Sequence, residues 1–592
     1  MVGLPFDCLS NPLGAVRVTF ERAIASGSDP ASFDGKDWGV IDVLRECLFD
    51  QGALTQVPIL DHQSIGWIQP NSLVRFRGMV QDMLGNEFYV GAFKDDSMWR
   101  TNKFADVASF PMGSSSENRI WERRLLHCVP VPGQSSWSMQ SSSESVISRS
   151  KKWMSQHGEK RLREDDAESY SMAPGDEMQE SPPGCKKMRE GDCHSPLLHE
   201  AVAEASSSKS SIEFDTDSNC FSCLVKVYDT MESDVKLNDV FEFIGVFTYN
   251  PELMIQMDES DEVPHDLYEE SLVHLPPNKV PRLHCFIQRK LAVHDFIHNS
   301  PVTEPVPHVI RGAREGLLDH LRSVLGNDCV AAQCVLLHLL SRVHGRVDSA
   351  ALGKLSLNLT GFSRESISVF GNQLRNATQS LLPFTQSFPL TVEYLNSMSL
   401  APRKDYKTNR LVTGVLQMAE GTHLTIDETQ LDSGILNSTG VSNTRLLKNL
   451  LECQKVEYDF EYYKMEMPAD VQLLILSDGK SNILPADLVL PFQPSAVSPS
   501  MNISPEALQT WRWYLSSVRS LSHDIDPEMQ KVLEDDLVAA RQEDRSLGSQ
   551  DFSRLLTMAR LISVSFGETR LSFDHWQMAK ELERLRKERL KQ

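Results

Sequence analysis

The sequence predicts an α+β multidomain protein, and three observations carry that reading. Two blocks, 72–93 and 223–249, alternate apolar and polar residues with the period of two that marks strands half-buried in a sheet. Between 311 and 495, apolar runs such as LSLNL and VQLLIL are separated by helical periodicity, as in a parallel sheet covered on both faces. From 503 onward the pattern is helical alone.

Taken in order, residues 1–65 read as a small helical domain, because Val40, Val43, Leu44 and Phe49 recur near a helical period. In 66–133, Val74, Phe76 and Val80 alternate with Arg75, Arg77 and Gln81; Leu84-Gly85-Asn86 then reads as a hairpin turn before a second alternation through Phe88, Val90 and Ala92. The second β block lies in 220–300, where two strands flank a polar connection ending at Leu237-Asn238-Asp239. Together the blocks suit one small antiparallel barrel of the OB type, interrupted by a long insert.

That insert, 134–219, holds about twenty serines and few aromatics, so it cannot bury enough surface to offset ordering entropy and is expected to be disordered. Its basic clusters, Lys151 and Lys152, then Lys160, Arg161 and Arg163, suit an importin-read nuclear signal, which places the protein in the nucleus. Arg149, Lys186, Lys187 and Arg189 extend the set, and Ser181 and Ser195 each precede proline as candidate kinase sites.

Residues 314–344 carry two helical stretches, the second apolar on most faces and therefore buried. A short strand at 355–359, a strand running into Asp427 and a strand at 471–476 follow, and a proline-rich link at 485–505 leads to a helical domain, 503–592. There Leu555, Ala559, Ile562 and Phe566 share one helix face, and Met578, Leu582 and Leu585 another. The final LERLRKERLKQ reads as a solvated basic helix end.

The formal charge of −22 disfavours wrapping a nucleic-acid backbone, so protein partners are the expectation. No apolar run is long enough to span a bilayer, and the first residues lack a signal-peptide pattern; a soluble intracellular protein without membrane contact is expected. Eleven scattered cysteines fit reduced thiols. Cys220-x-x-Cys223 with Cys185, Cys193 and His194 upstream allows a zinc site on paper, but Cys223 enters a strand, so no metal is expected.

The chemistry-bearing feature is the acidic pair Asp427 and Glu428 at a strand end, the arrangement that nucleotide-hydrolysing proteins use to hold magnesium and polarise water. G-x-x-x-x-G-K-[ST] occurs nowhere. After LSLNL, where a phosphate loop belongs, the chain reads Thr360-Gly361-Phe362-Ser363-Arg364-Glu365, with one glycine and no lysine. Gly479-Lys480-Ser481 is half a motif in the wrong place, followed by residues that cannot start a long helix, and reads as a turn. No arginine or lysine lies between Asn482 and Asn502, where a subunit-junction arginine would be sought. Asp427 and Glu428 are therefore expected as relics, Gly361 and Ser363 as a degenerate phosphate-loop region, with no catalytic residue, no cofactor and no enzyme activity. His338 and His344 read as core or helix-surface residues rather than ligands.

From CVLLHLLSRVHGR through LGKLSLNLTGF, LQMAEGTHLTIDE and VQLLILSDGK to the helical tail, the chain resembles the AAA+ region of MCM helicase subunits, with their OB-type region in front. The resemblance is closer to the MCM-binding protein family, including a plant member, and is carried by LVRFRGMVQDMLGNEFYVGAF, VFEFIGVFTYNP and AEGTHLTIDET. It implies a degenerate AAA+-like domain at 311–495 with a lid-like helical domain behind it. It further implies a nuclear factor that binds MCM subunits as a pseudo-subunit, aids assembly or unloading of their complex in DNA replication, meets chromatin indirectly and supports sister-chromatid cohesion. Two alternatives stay open: an AAA+ ATPase with an irregular phosphate loop, and an OB-fold single-strand DNA binder using Arg75, Arg77, Phe88 and Tyr89.

Overall fold

Val74, Phe76 and Val80, at even spacing on one face of a strand, share a core with Leu126, Cys128, Val225, Phe243 and Leu283. In the computed structural model of the chain these residues lie on five strands of a six-stranded sheet made of β1 (Leu73–Asp95), β2 (Met98–Thr101), β3 (Asn118–Val129), β4 (Cys223–Val227), β5 (Val240–Thr248) and β6 (Arg282–Lys290). Their order is β2-β1-β3-β4-β6-β5, and β1 also pairs with β5, which closes the sheet on itself. The structure describes residues 8–34, 36–95, 97–106, 117–140, 221–229, 234–249, 275, 280–297, 306–348, 350–496, 503–545 and 547–591. All belong to one unit, Met1–Ile147 with Phe221–Gln592. The nuclear-signal candidates Lys151, Lys152, Lys160, Arg161 and Arg163, the two Ser-Pro sites, and Cys185, Cys193 and His194 lie outside the described residues.

The hairpin turn expected at Leu84–Asn86 is not one. β1 runs through it as a single 23-residue strand, with Gly85 at φ +91° and a register shift between Met83 and Gly85 against β3. A glycine between alternating segments serves a turn or a bulge equally well, and the pairing partner decides. Here β1 pairs with β5 up to Met79 and with β3 from Met79 onward, so β3 holds the strand on both sides of the bulge at Gly85. The barrel is also not wholly antiparallel, since β4 and β6 run parallel. N-terminal helices Pro12–Ala25 and Val40–Arg45 place Val16, Val40 and Leu44 in a core with Leu73, Ile244, Val246 and Phe286, so they cover the barrel's outer face.

The next strands are β7 (Gly345–Val347), β8 (Ala350–Leu352), β9 (Leu357–Thr360), β10 (Thr385–Pro389), β11 (Arg403–Asp405), β12 (Arg410–Val412), β13 (Thr422–Asp427), β14 (Lys455–Asp459), β15 (Lys464–Pro468), β16 (Val471–Ser477) and β17 (Leu488–Pro491). Five of them form an all-parallel sheet in the order β10-β13-β16-β9-β17. β16 shows why VQLLIL is continuously apolar. Leu473 and Ile475 face one core with Leu446 and Leu450 of helix Ser438–Cys453, while Leu474 and Leu476 face the other with helices Pro307–Val324 and Cys329–Leu340. Only Thr422–Asp427 of the 411–428 run belongs to this sheet; Leu411 and Val412 lie in β12, which pairs with β11.

The barrel packs on the α/β region through a core of Met79, Val131, Val240, Phe296 and Phe384, and meets β12 through Asp82, which accepts from Leu411 N at 2.9 Å and Arg410 Nε at 3.2 Å. The first residues of the insert expected to be disordered are ordered. Ser136–Gln140 is a short helix, Trp137 Nε1 donates to Gln379 O at 2.8 Å, and the Arg512 guanidinium lies 3.8 Å from the Trp137 ring centre. A cation stacked on indole, with the ring N–H satisfied, holds this segment where composition alone predicts none.

The tail forms helices Pro505–Arg519, Pro527–Glu543, Ser549–Ser565 and Phe573–Lys591. Its basic end is a solvated face only in part, with Arg584 and Lys591 exposed. Arg586 is buried against Glu583 and donates to Val489 O at 3.1 Å, and Arg589 donates to Pro491 O at 3.2 Å, so both cover carbonyls of the edge strand β17.

Candidate functional site

In an open parallel sheet, ligands sit at the carboxyl ends of the strands. Asp427 ends β13 and Gly361 follows β9, with β16 between them, so the acidic pair and the phosphate-loop position share that edge about 10 Å apart across two strand spacings. The sequence-predicted residues are therefore brought together. What each does is set by its hydrogen bonds.

At the phosphate-loop position, three consecutive backbone amides are occupied. Gly361 N donates to Asp478 O at 2.8 Å, Phe362 N to Ser477 O at 3.0 Å, and Ser363 N to Ser366 Oγ at 2.8 Å. Gly361, at φ +91°, makes the tight turn that permits this. Phe362 is fully buried and stacks on Phe492, with ring centres 4.7 Å apart. A phosphate-binding loop needs these amides free and convergent; here they are spent within the chain. Ser363 caps the turn that follows, accepting from Ser366 N at 3.1 Å. Arg364 forms a two-pronged pair with Asp432 at 2.9 and 3.0 Å.

The acids are also engaged. Asp427 is buried and accepts from Thr429 N at 3.0 Å and Thr429 Oγ1 at 2.6 Å, capping its own turn. Glu428 is half-buried; its Oε1 accepts from Ser481 Oγ at 2.9 Å, while Oε2 is buried and makes no hydrogen bond within the chain. Burial pushes the Glu428 carboxyl up from its ordinary range, with the Ser481 bond opposing. Ser481, from the Gly479-Lys480-Ser481 half-motif, thus holds Glu428 and accepts from Leu484 N at 2.9 Å. No helix follows it.

Beside the acids lies an open cavity of about 480 Å³, lined among others by Arg364, Ile367, Val392, Glu393, Gln430 and Asp432. The loop after Glu428 forms its wall. Sequence reasoning missed this cavity and the Ser481–Glu428 bond, both of which join segments remote in the chain.

Other candidate chemistry is internally neutralised. Arg77 Nε lies 2.8 Å from Glu242, and Arg75 and Arg289 approach the same carboxylate at 3.8 and 3.2 Å. Burial alone would raise the Glu242 carboxyl, but the three guanidiniums hold it below its ordinary range. Tyr89 packs edge-on to Trp121 and Tyr228, leaving Phe88 exposed. Among the described residues no three His, Cys, Asp or Glu side chains are grouped to hold a metal ion, and Cys223 is a buried strand residue opposite Cys128. His338 is a core residue, its Nδ1 2.7 Å from Leu355 O and its Nε2 3.2 Å from His423 Nε2. No helix among the described residues is long and apolar enough to cross a membrane.

Fold and site together define a multidomain α+β protein whose parallel sheet keeps an acidic strand end while the loop opposite is closed by its own hydrogen bonds. Residues 44–590 match the family described as mini-chromosome maintenance replisome factor. The chain is 58% identical over 594 residues to the mini-chromosome maintenance complex-binding protein of Arabidopsis thaliana, covering 100% of both chains. It is 35% identical to the Salmo salar protein of the same name and 34% to that of Homo sapiens, in each case over 99% of this chain and 98% of the relative. The chain belongs to this family of MCM-binding proteins, and its likeness to the Arabidopsis protein is consistent with a plant member.

Proposed function

We propose that the protein is a non-catalytic nuclear factor that binds MCM helicase subunits as a pseudo-subunit, aiding assembly or unloading of their complex in DNA replication and supporting sister-chromatid cohesion. The observation that carries this is the occupied set of amides at Gly361, Phe362 and Ser363, opposite an otherwise complete acidic pair. Strand order supports an AAA+-like reading of the sheet: the strand before the degenerate loop lies between β17 and β16, and the acid-bearing strand is next but one to it. The closed five-strand path β1-β3-β4-β6-β5, with one parallel pair, supports an OB-type reading of the barrel. The names of the relatives support MCM subunits as the partners. A subunit-shaped body without phosphate-binding groups joins a complex and leaves the shared nucleotide junction unserved. Importin recruitment belongs to the basic insert, and chromatin is reached through the MCM partners.

Two measurements test this. Affinity purification from nuclear extract, with and without residues 141–220, recovers MCM subunits in both cases, with nuclear import lost in the second; recovery of none refutes the assignment. Titration with a fluorescent ATP analogue and magnesium shows no saturable binding. Micromolar binding abolished by Asp427→Ala would instead establish an ATPase with an irregular phosphate loop.

A further inference from the structure

Ile435 is 89% exposed, the highest value among the large apolar side chains of the described residues. It stands on the loop from Glu428 to helix Ser438–Cys453, the loop whose earlier residues wall the 480 Å³ cavity. The loop is anchored, not free. Asn396 Nδ2 donates to Ile435 O at 3.1 Å, Asn396 Oδ1 accepts from Asn437 N at 2.9 Å, and Asn437 Oδ1 caps the helix through Gly440 N at 2.8 Å. Exposed apolar side chains grouped on a fixed backbone are the mark of an interaction surface. Val441, one turn into the helix, is 59% exposed, and Met398, whose carbonyl accepts from Asn443 Nδ2, is also exposed. Ile435, Met398 and Val441 are thus exposed apolar side chains on segments that Asn396 and Asn443 tie together, and Ile435 stands two residues from the cavity-lining Ser433, forming a rim beside it.

Carboxylates predominate around the cavity. Glu365 and Glu393 are exposed, Glu428 keeps a buried oxygen without a hydrogen bond within the chain, and Arg364, which also lines the cavity, is committed to Asp432. Resting on the MCM-binding reading, we infer that this rim is where the MCM subunit docks. The occupant is a subunit surface that sets an arginine or lysine into the acidic cavity and packs apolar side chains on Ile435 and Val441. Complementary charge selects it: an acidic partner would be repelled by Glu365, Glu393 and Asp432, and a neutral one would leave them desolvated.

A separate exposed apolar feature, Tyr462 and Tyr463 at the β14–β15 tip, provides the control. Full-length wild type, Ile435→Asp, Glu393→Arg and Tyr462→Asp are titrated against individually purified MCM subunits by biolayer interferometry. Thermal melting confirms that these surface variants fold. Ile435→Asp and Glu393→Arg each weaken the subunit bound by wild type about ten-fold or more, the loss expected for an interface anchor, and Tyr462→Asp binds like wild type. Wild-type affinity in both rim variants overturns the docking surface and leaves the MCM-binding reading standing, as does loss confined to Tyr462→Asp. Failure of the wild type to bind any MCM subunit overturns both.

Discussion

The contact that ties the C-terminal helix to the parallel sheet gives the sharpest test of how the fold is held. Asp328 is fully buried and serves five donors. Its Oδ1 accepts from Val330 N at 3.1 Å, Ala331 N at 2.9 Å and Arg589 Nη2 at 2.8 Å, and its Oδ2 from Gln493 N at 3.0 Å and Arg589 Nη1 at 2.7 Å. Arg589→Ala removes the only cation among those donors and leaves a buried carboxylate with three amides. Truncating one partner of a buried pair costs about 3–5 kcal/mol; the three remaining amide bonds favour the lower end, about 3 kcal/mol. A chain of this size does not unfold as one two-state unit, so the assay is local: native-state amide hydrogen exchange in helices Cys329–Leu340 and Phe573–Lys591. A loss of about 3 kcal/mol accelerates exchange roughly a hundred-fold in both helices together. Arg589→Ala, Asp328→Ala and the double variant form a cycle with a coupling of about 2 kcal/mol. Exchange within about three-fold of wild type, or coupling below about 0.5 kcal/mol, refutes the claim that this pair clasps the tail to the sheet.

Stability should fall in mild acid through buried histidines. Burial holds His127 near a pKa of about 3, and His338 to about 4, with His423 well below its ordinary value from burial and the adjacent His338. Each is depressed, so the unfolded chain takes up protons first; the contribution is whole above pH 6.5 and is lost as pH falls toward the folded values, at about 1.4 kcal/mol per pH unit for each imidazole. Melting temperature against pH from 7.5 to 5.5 should slope downward, and His338→Gln should lessen the slope; a flat wild-type profile contradicts the assignment. In the barrel, a Cβ at Gly245 would lie 2.0 Å from His284 O, so Gly245→Ala forces β5 from β6 at about 3 kcal/mol. Lowered yield or lost protection in β5 and β6 is expected, and a wild-type melt would show that the strands can part without cost.

The parallel sheet was legible because a strand buried on both faces must be apolar at successive positions, as in VQLLIL, and because the acidic pair stands where such a strand stops. The missing lysine after LSLNL was equally plain. The β1 bulge was not, since Leu84-Gly85-Asn86 carries turn chemistry and only pairing with β3 on both sides of Gly85 keeps the strand continuous. Nor was the docked end of the tail. Glu583 and Arg586 are three residues apart, spacing that also suits a solvated ion pair, and Arg586 becomes buried only because β17 presents Val489 O to it.

Local pattern thus determined the apolar strands β9, β13 and β16, the helical tail, the acidic strand end and the lack of a phosphate-binding lysine, since each depends on residues close in the chain. Tertiary structure decided the rest: that Ser477, Asp478 and Ser366 fill the amides of the degenerate loop, that Ser481 holds Glu428, and that Ile435 is left in water beside an acidic cavity. Backbone carbonyls carry no sequence signature, so which amide meets which acceptor is fixed only when the strands assemble.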